Sequence, residues 1–158
     1  MRSRPAAPLL PSVLIVDADE GTRLLYRTIL EPLAEVIYES GDGVAALALA
    51  FQTPPSLLVS DARLPRVDGS ALCECLRAHH RTATTLKLIV AADEWMARKA
   101  EASGADTVLI KPFRPEALAN AAVQLWSTRD GSTSSSIRPR SSGASGGSNS
   151  TRTTAPHV

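Results

Sequence analysis

Three residues in this chain stand where phosphoryl chemistry could be done. Asp61 closes the apolar run Leu57-Leu58-Val59-Ser60, and a short loop containing Pro65 and ending in Asp68-Gly69 follows it. Asp17 closes the run Ser12 to Val16, and Lys111 closes the run Thr107 to Ile110. Short apolar runs bounded by turn residues are buried strands, so each reactive group rides at the carboxyl end of a rigid element. In open α/β sheets the crevice beyond those ends is where ligands bind. Phosphoryl transfer needs an in-line nucleophile and positive charge on the equatorial oxygens, and little else from the protein. Asp61 can be that nucleophile. The flexible stem of Lys111 can bring an ammonium to a phosphoryl oxygen.

The elements that must position these groups alternate along the chain. Strands are expected at 12–16, 34–38, 56–60, 86–90 and 107–110. Asp19 can cap a first helix, with Leu24, Leu25, Thr28 and Ile29 on its inner side and an end near Pro32. Asp42 can cap a second, carrying Val44, Leu47, Ala48 and Phe51 until Pro54-Pro55 stops it. A third follows Asp68-Gly69 with Leu72, Cys75, Leu76 and His79 as its apolar stripe. A fourth starts at Asp93 and ends at Gly104, and a fifth starts at Pro115 with Leu118, Ala121, Ala122, Leu125 and Trp126 inside. Strand-helix alternation of this kind implies right-handed crossovers and a parallel sheet covered on both faces. The fold class is α/β.

Composition agrees with that architecture. A chain of 158 residues suits one domain with tails, and its 4% aromatic content leaves the core to Leu, Val, Ile and Ala. The formal net charge of +1 offers no basic footprint, so no nucleic-acid partner is expected. No run approaches the roughly 18 apolar residues of a membrane span, and no signal peptide is evident, which points to a cytoplasmic protein. Cys73 and Cys75 stand two apart on a helix and face different ways, so they read as reduced thiols. Residues 1–11 read as a disordered leader, 12–127 as the domain, and 128–158, rich in Ser, Thr, Gly and Arg, as a disordered tail too polar to be an output domain.

The spacing Asp61-x-x-x-Pro65-x-x-Asp68-Gly69, together with Lys111-Pro112-Phe113, resembles the receiver domain of response regulators. The likeness runs from about Val13 to Trp126. It implies a doubly wound (βα)5 flavodoxin-like sheet of order 2-1-3-4-5, which sets Asp17 beside Asp61 at about the 4.8 Å strand spacing. Two carboxylates that close repel by roughly 4 kcal/mol at an effective dielectric near 20. Mg²⁺ answers such a pair, being held by one or two carboxylates with waters and phosphate oxygens completing its shell. The resemblance further implies Asp61 as phosphoacceptor, Lys111 as phosphate partner, and Asp17, Asp61 and the Arg63 backbone carbonyl around Mg²⁺. The donor would be a sensor histidine kinase or a phosphotransfer protein. Output would pass by contact to an unknown downstream protein, through a face near Trp95, Met96 and the outer side of 116–126. The domain would signal without being an enzyme.

Departures from the family pattern are equally specific. The second acidic residue after the first strand is Ala18, the hydroxyl residue expected after the fourth strand is Ala91, and the aromatic expected on the fifth is Val108. Weaker metal binding is expected from the first. Alternation would point Asp19 to the same side as Asp17, which makes it a further metal-ligand candidate beside its reading as a helix cap. These departures keep open a pseudo-receiver that binds partners without phosphorylation. A haloacid-dehalogenase-like phosphatase using Asp17 in Val16-Asp17-Ala18-Asp19 is the enzyme alternative.

Overall fold

Apolar runs without polar alternation need cover on both faces, and the computed structural model, which describes residues 9–130, provides it. β1 (Leu10–Val16), β2 (Ala34–Ser40), β3 (Leu57–Asp61), β4 (Leu86–Ala91) and β5 (Thr107–Ile110) form one parallel sheet in the order β2-β1-β3-β4-β5. Between and after them run α1 (Glu20–Leu30), α2 (Gly43–Gln52), α3 (Gly69–Ala78), α4 (Glu94–Ala102) and α5 (Pro115–Asp130). A 3₁₀ turn at Glu31–Leu33 joins α1 to β2. Helices α1 and α5 close one face over Val13, Ile15, Val59, Leu88 and Val90. Helices α2, α3 and α4 close the other over Leu14, Val16, Leu58, Ile89 and Ala91.

One capping device starts four of the helices. Asp19, Asp42, Asp68 and Asp93 each accept a hydrogen bond from the amide three residues on, at Thr22, Ala45, Ala71 and Met96. Each cap satisfies an amide that the helix itself leaves unpaired, so four of the five helix entries are fixed in this way. Gly104 ends α4 with φ +103°, a conformation that side chains with a Cβ resist.

Helix phase differs from the sequence reading in three places. On α1 the buried residues are Tyr26 and Leu30, while Leu24 is 62% exposed and Leu25 is exposed too. On α2, Ala46 and Ala50 face the sheet, and Val44 and Ala48 face outward. On α3, Cys73 joins Leu72 and Leu76 inside, and Cys75 is exposed. Spacing alone leaves the phase open, whereas the cap fixes it and close helix-sheet approach favours alanine. The edges also move. β1 begins at Leu10, which is fully buried and pairs with Ala34, so the stretch read as a leader ends sooner. Pro11 is tolerated because pairing with β3 starts only at Val13. α5 continues past Ser127 to Asp130, into the stretch read as tail. The rest of that leader and tail lies outside the described residues.

One charge is built into the sheet. Lys87 on β4 is 4% exposed, and its ammonium donates to the Thr85 carbonyl at 2.9 Å and lies 3.7 Å from Asp106 Oδ2. Asp106 Oδ2 also accepts the Lys87 amide at 2.8 Å. Such a pair gives back in attraction about what it loses in desolvation, so Lys87→Met should leave the melting temperature unchanged or raise it. Asp106→Ala leaves the ammonium with the Thr85 carbonyl alone and takes the partner from the Lys87 amide, and should cost about 1–3 kcal/mol in a denaturant titration.

Candidate functional site

Parallel register brings the reactive ends together. Val16 lies across from Ser60, so the residues that follow, Asp17 and Asp61, leave the sheet side by side. Asp61 is itself level with Val90, and Ala91 with Ile110. The Lys111 amide then donates to the Ala91 carbonyl at 2.9 Å, which hooks the start of the next loop onto β4. The Lys111-Pro112 peptide bond is cis.

Both oxygens of the Asp61 carboxylate are engaged, and the side chain stays 15% exposed. Oδ1 accepts the Arg63 amide at 3.0 Å, and Oδ2 accepts the Lys111 ammonium at 3.0 Å. The lysine stem thus spans the interval between β3 and β5. Behind the acceptor, the Gly69 amide donates to the Ala62 carbonyl at 2.9 Å. A Cβ at Gly69 would stand 2.5 Å from the Asp61 carbonyl oxygen, so only glycine lets α3 begin this close to the acceptor backbone.

Asp17 is held more deeply, at 4% exposure. Its Oδ1 accepts the Asp19 amide at 2.8 Å, its own amide donates to the Ser40 carbonyl at 3.2 Å, and its carbonyl accepts Arg23 Nη1 at 2.6 Å. Oδ2 has no hydrogen-bond partner, and among the described residues it is the one buried side-chain polar atom left so. Burial pushes the Asp17 carboxyl above the usual range, the Asp19 amide pulls it back, and the facing Asp61 carboxylate pushes it up again. Tyr26 packs near the pocket with its ring 6.2 Å from that of Phe113. Burial, with the charges of Asp17 and Asp61 behind it, pushes its phenol to about 12, so it stays a neutral wall.

Asp19 is a cap. Its Oδ2 accepts both the Thr22 hydroxyl at 2.7 Å and the Thr22 amide at 2.8 Å, and those bonds hold its carboxyl below the usual range. What it brings to Asp17 is its amide. Asp68 likewise caps α3 and lies 3.4 Å from the Lys99 ammonium. Ala91 is fully buried at the end of β4 and Val108 packs into the same cluster, so neither a hydroxyl nor a ring stands at those positions.

Among the described residues no cluster of three or more His, Cys, Asp or Glu side chains is placed to hold a metal. Two carboxylates on one rim, one with a bare buried oxygen, nevertheless suit a cation that takes one or two carboxylates and keeps its waters. The arrangement fits Mg²⁺ and lacks the ligand set of a structural zinc site. A nucleophile role for Asp17, required by the phosphatase alternative, does not fit a carboxylate buried this far. No helix among the described residues is long and apolar enough to cross a membrane.

Comparison with known proteins agrees with this geometry. The family model described as "Response regulator receiver domain" matches residues 13–123. The chain is 37% identical over 109 residues to the DNA-binding dual master transcriptional regulator RpaA of Synechocystis sp., an alignment covering 68% of this chain and 45% of that protein. It therefore spans about half the length of that relative. It is 33% identical over 107 residues to a probable chemotaxis protein CheY of Rhizobium etli, covering 66% of this chain and 83% of that one. The receiver domain of the Francisella response regulator 1452 superposes with a TM-score of 0.66 at 26% identity, covering 75% of this chain and 98% of that one. With the family model matched over residues 13–123, the chain belongs to the response regulator receiver domain family.

Proposed function

We propose that Asp61 accepts a phosphoryl group from the phosphohistidine of a sensor histidine kinase or phosphotransfer protein, and that the domain then signals by contact. The single observation that carries this reading is the Lys111 ammonium 3.0 Å from Asp61 Oδ2. Receiver domains generally bind Mg²⁺ at an acidic pocket and work with such donors. Here Asp17, Asp61 and the Arg63 backbone carbonyl would hold the ion, which when bound supplies positive charge to the phosphoryl oxygens and offsets the carboxylate pair.

The chain's own residues account for the rest. An Asp61 oxygen forms the new O–P bond as the P–N bond to the donor imidazole breaks, and the bonding pair leaves with the ring. Lys111 transfers its hydrogen bond from the carboxylate to a phosphoryl oxygen, so charge is neutralised without a new group entering. The Arg63 amide keeps the other carboxylate oxygen in place during the attack. A donor protein has apolar surface to rest on next to the lysine. Leu25 is exposed there, and a groove of about 300 Å³ runs past Thr22, Leu25, Ile29, Pro112 and Phe113. For output, Trp95 is 71% exposed on α4.

A phosphorylation-independent receiver is the second reading, favoured by the methyl groups of Ala18 and Ala91 where acid and hydroxyl are usual. Incubating the chain with Mg²⁺ and acetyl phosphate, followed by intact-mass measurement, separates the two. The acceptor reading expects a gain of one phosphoryl group that maps to the peptide carrying Asp61. An unchanged mass supports the binding module.

A further inference from the structure

We propose that Arg23 is a positioning residue for the acidic pocket, acting through the main chain of Asp17 and not through its charge. The inference rests on the reading that this pocket takes Mg²⁺. Its starting point is an imbalance around Asp17. Three of its four polar groups are tied: the amide to the Ser40 carbonyl, Oδ1 to the Asp19 amide, and the carbonyl to Arg23 Nη1. The fourth, Oδ2, is the buried oxygen with no partner. A side chain whose other atoms are all fixed has its last oxygen aimed by those bonds.

The Arg23 bond is the shortest of the three at 2.6 Å, and a guanidinium donor makes it charge-assisted. The guanidinium is itself braced. Its Nε lies 3.9 Å from Glu39 Oε1, whose other oxygen accepts Arg27 Nη1 at 2.6 Å, so α1 is bridged to the edge strand β2 by two arginines on one carboxylate. A Cβ added at Gly41 would come within 3.4 Å of Arg23 Nη1, which shows the group packed under the turn that follows β2. The Arg23 side chain is 19% exposed, half the exposure of Arg27 at 39%. Only Arg23 of the two touches Asp17. Because Ala18 supplies no second carboxylate on this side, the aim of Asp17 alone decides how well the metal is met from β1. Residues that orient metal ligands without touching the ion typically change affinity about 10–100-fold when lost.

The test compares Arg23→Ala, Arg23→Lys and Arg27→Ala in the full chain. Two readouts serve: Mg²⁺ affinity by calorimetric titration, and protection of the Asp19 amide from hydrogen exchange in the metal-free protein. Arg23→Ala should weaken Mg²⁺ binding about 10-fold, the low end of that range, and lower Asp19 protection. Arg23→Lys, which keeps one donor, should recover most of both. Arg27→Ala, which loosens the same α1–β2 bridge, should lower thermal stability and leave both readouts near wild type. Equal loss in Arg23→Ala and Arg27→Ala would reduce Arg23 to a structural role and overturn the proposal. So would unchanged affinity and unchanged protection in Arg23→Ala. A wild-type chain that takes up no Mg²⁺ sinks the metal reading by itself, and the exchange comparison then still decides whether Arg23 orders Asp17.

Discussion

Asp61→Asn is expected to take up no phosphoryl group under conditions in which the wild-type chain gains one, while folding as well as wild type. The amide keeps an oxygen for the Arg63 amide, so the loop is still held, and its nitrogen is no nucleophile toward phosphorus. Lys111→Met should give a different failure. The carboxylate remains, but the neutralising charge is gone, and removing one pre-placed donor from a reacting oxyanion typically costs about 10²–10³-fold in rate. Time-resolved intact mass distinguishes the two, since the first variant stays at zero and the second climbs slowly. Phosphorylation of Asp61→Asn at another residue would refute the acceptor assignment.

The second large effect concerns stability. Asp17→Asn should make the metal-free protein more stable at neutral pH by about 1–3 kcal/mol, the usual cost of a buried unsatisfied group, and raise its melting temperature by several degrees. The amide oxygen can keep the bond from the Asp19 amide, and the new NH₂ can donate toward Asp61 where Oδ2 had no partner. The pH dependence follows from the direction of the shift. Burial raises the folded Asp17 pKa above the ordinary 3.8, so ionisation opposes folding. The penalty is full at neutral pH, shrinks as pH falls through the folded value, and is gone below the unfolded value. The advantage of the variant should vanish over the same window. Saturating Mg²⁺ should also narrow the gap, because an ion that binds only the folded wild-type pocket stabilises it by mass action. A constant difference from neutral to acid pH, measured by thermal denaturation, would show that the buried charge is not its source.

The order of elements was legible in the sequence because this fold writes each of its parts locally. β5 at Thr107–Ile110 falls where its apolar run ends at Lys111, and the caps at Asp19, Asp42 and Asp93 stand at the helix starts predicted for them. The meeting of Asp17, Asp61 and Lys111 on one rim has the same origin, since Asp61 is the last residue of β3 and the other two follow directly on β1 and β5. What a one-dimensional pattern lacks is rotation and depth. Tyr26 is buried where Leu24 and Leu25 were expected, since a helix turn offers several apolar residues and packing selects among them. Lys87 was read as one more residue of a strand, because a charge inside an apolar run does not announce the carbonyl that receives it. Arg23 escaped notice altogether. Its contact is to a main-chain oxygen, and main-chain partners leave no mark on the sequence; its only trace is an arginine one turn inside a helix that begins beside the pocket.

Lysine and the proposed acceptor lie 50 residues apart in the chain, and β5 is the last strand to be made among the described residues. A ribosome-bound chain that has emerged only through β4 can carry both aspartates and still lack their cation. On the acceptor reading, competence arrives with β5, and a partly synthesised domain is protected from premature charging by its own topology. Uptake of label from a phosphodonor could then serve as an assay of completed synthesis and docking, reporting the moment at which the C-terminal edge closes.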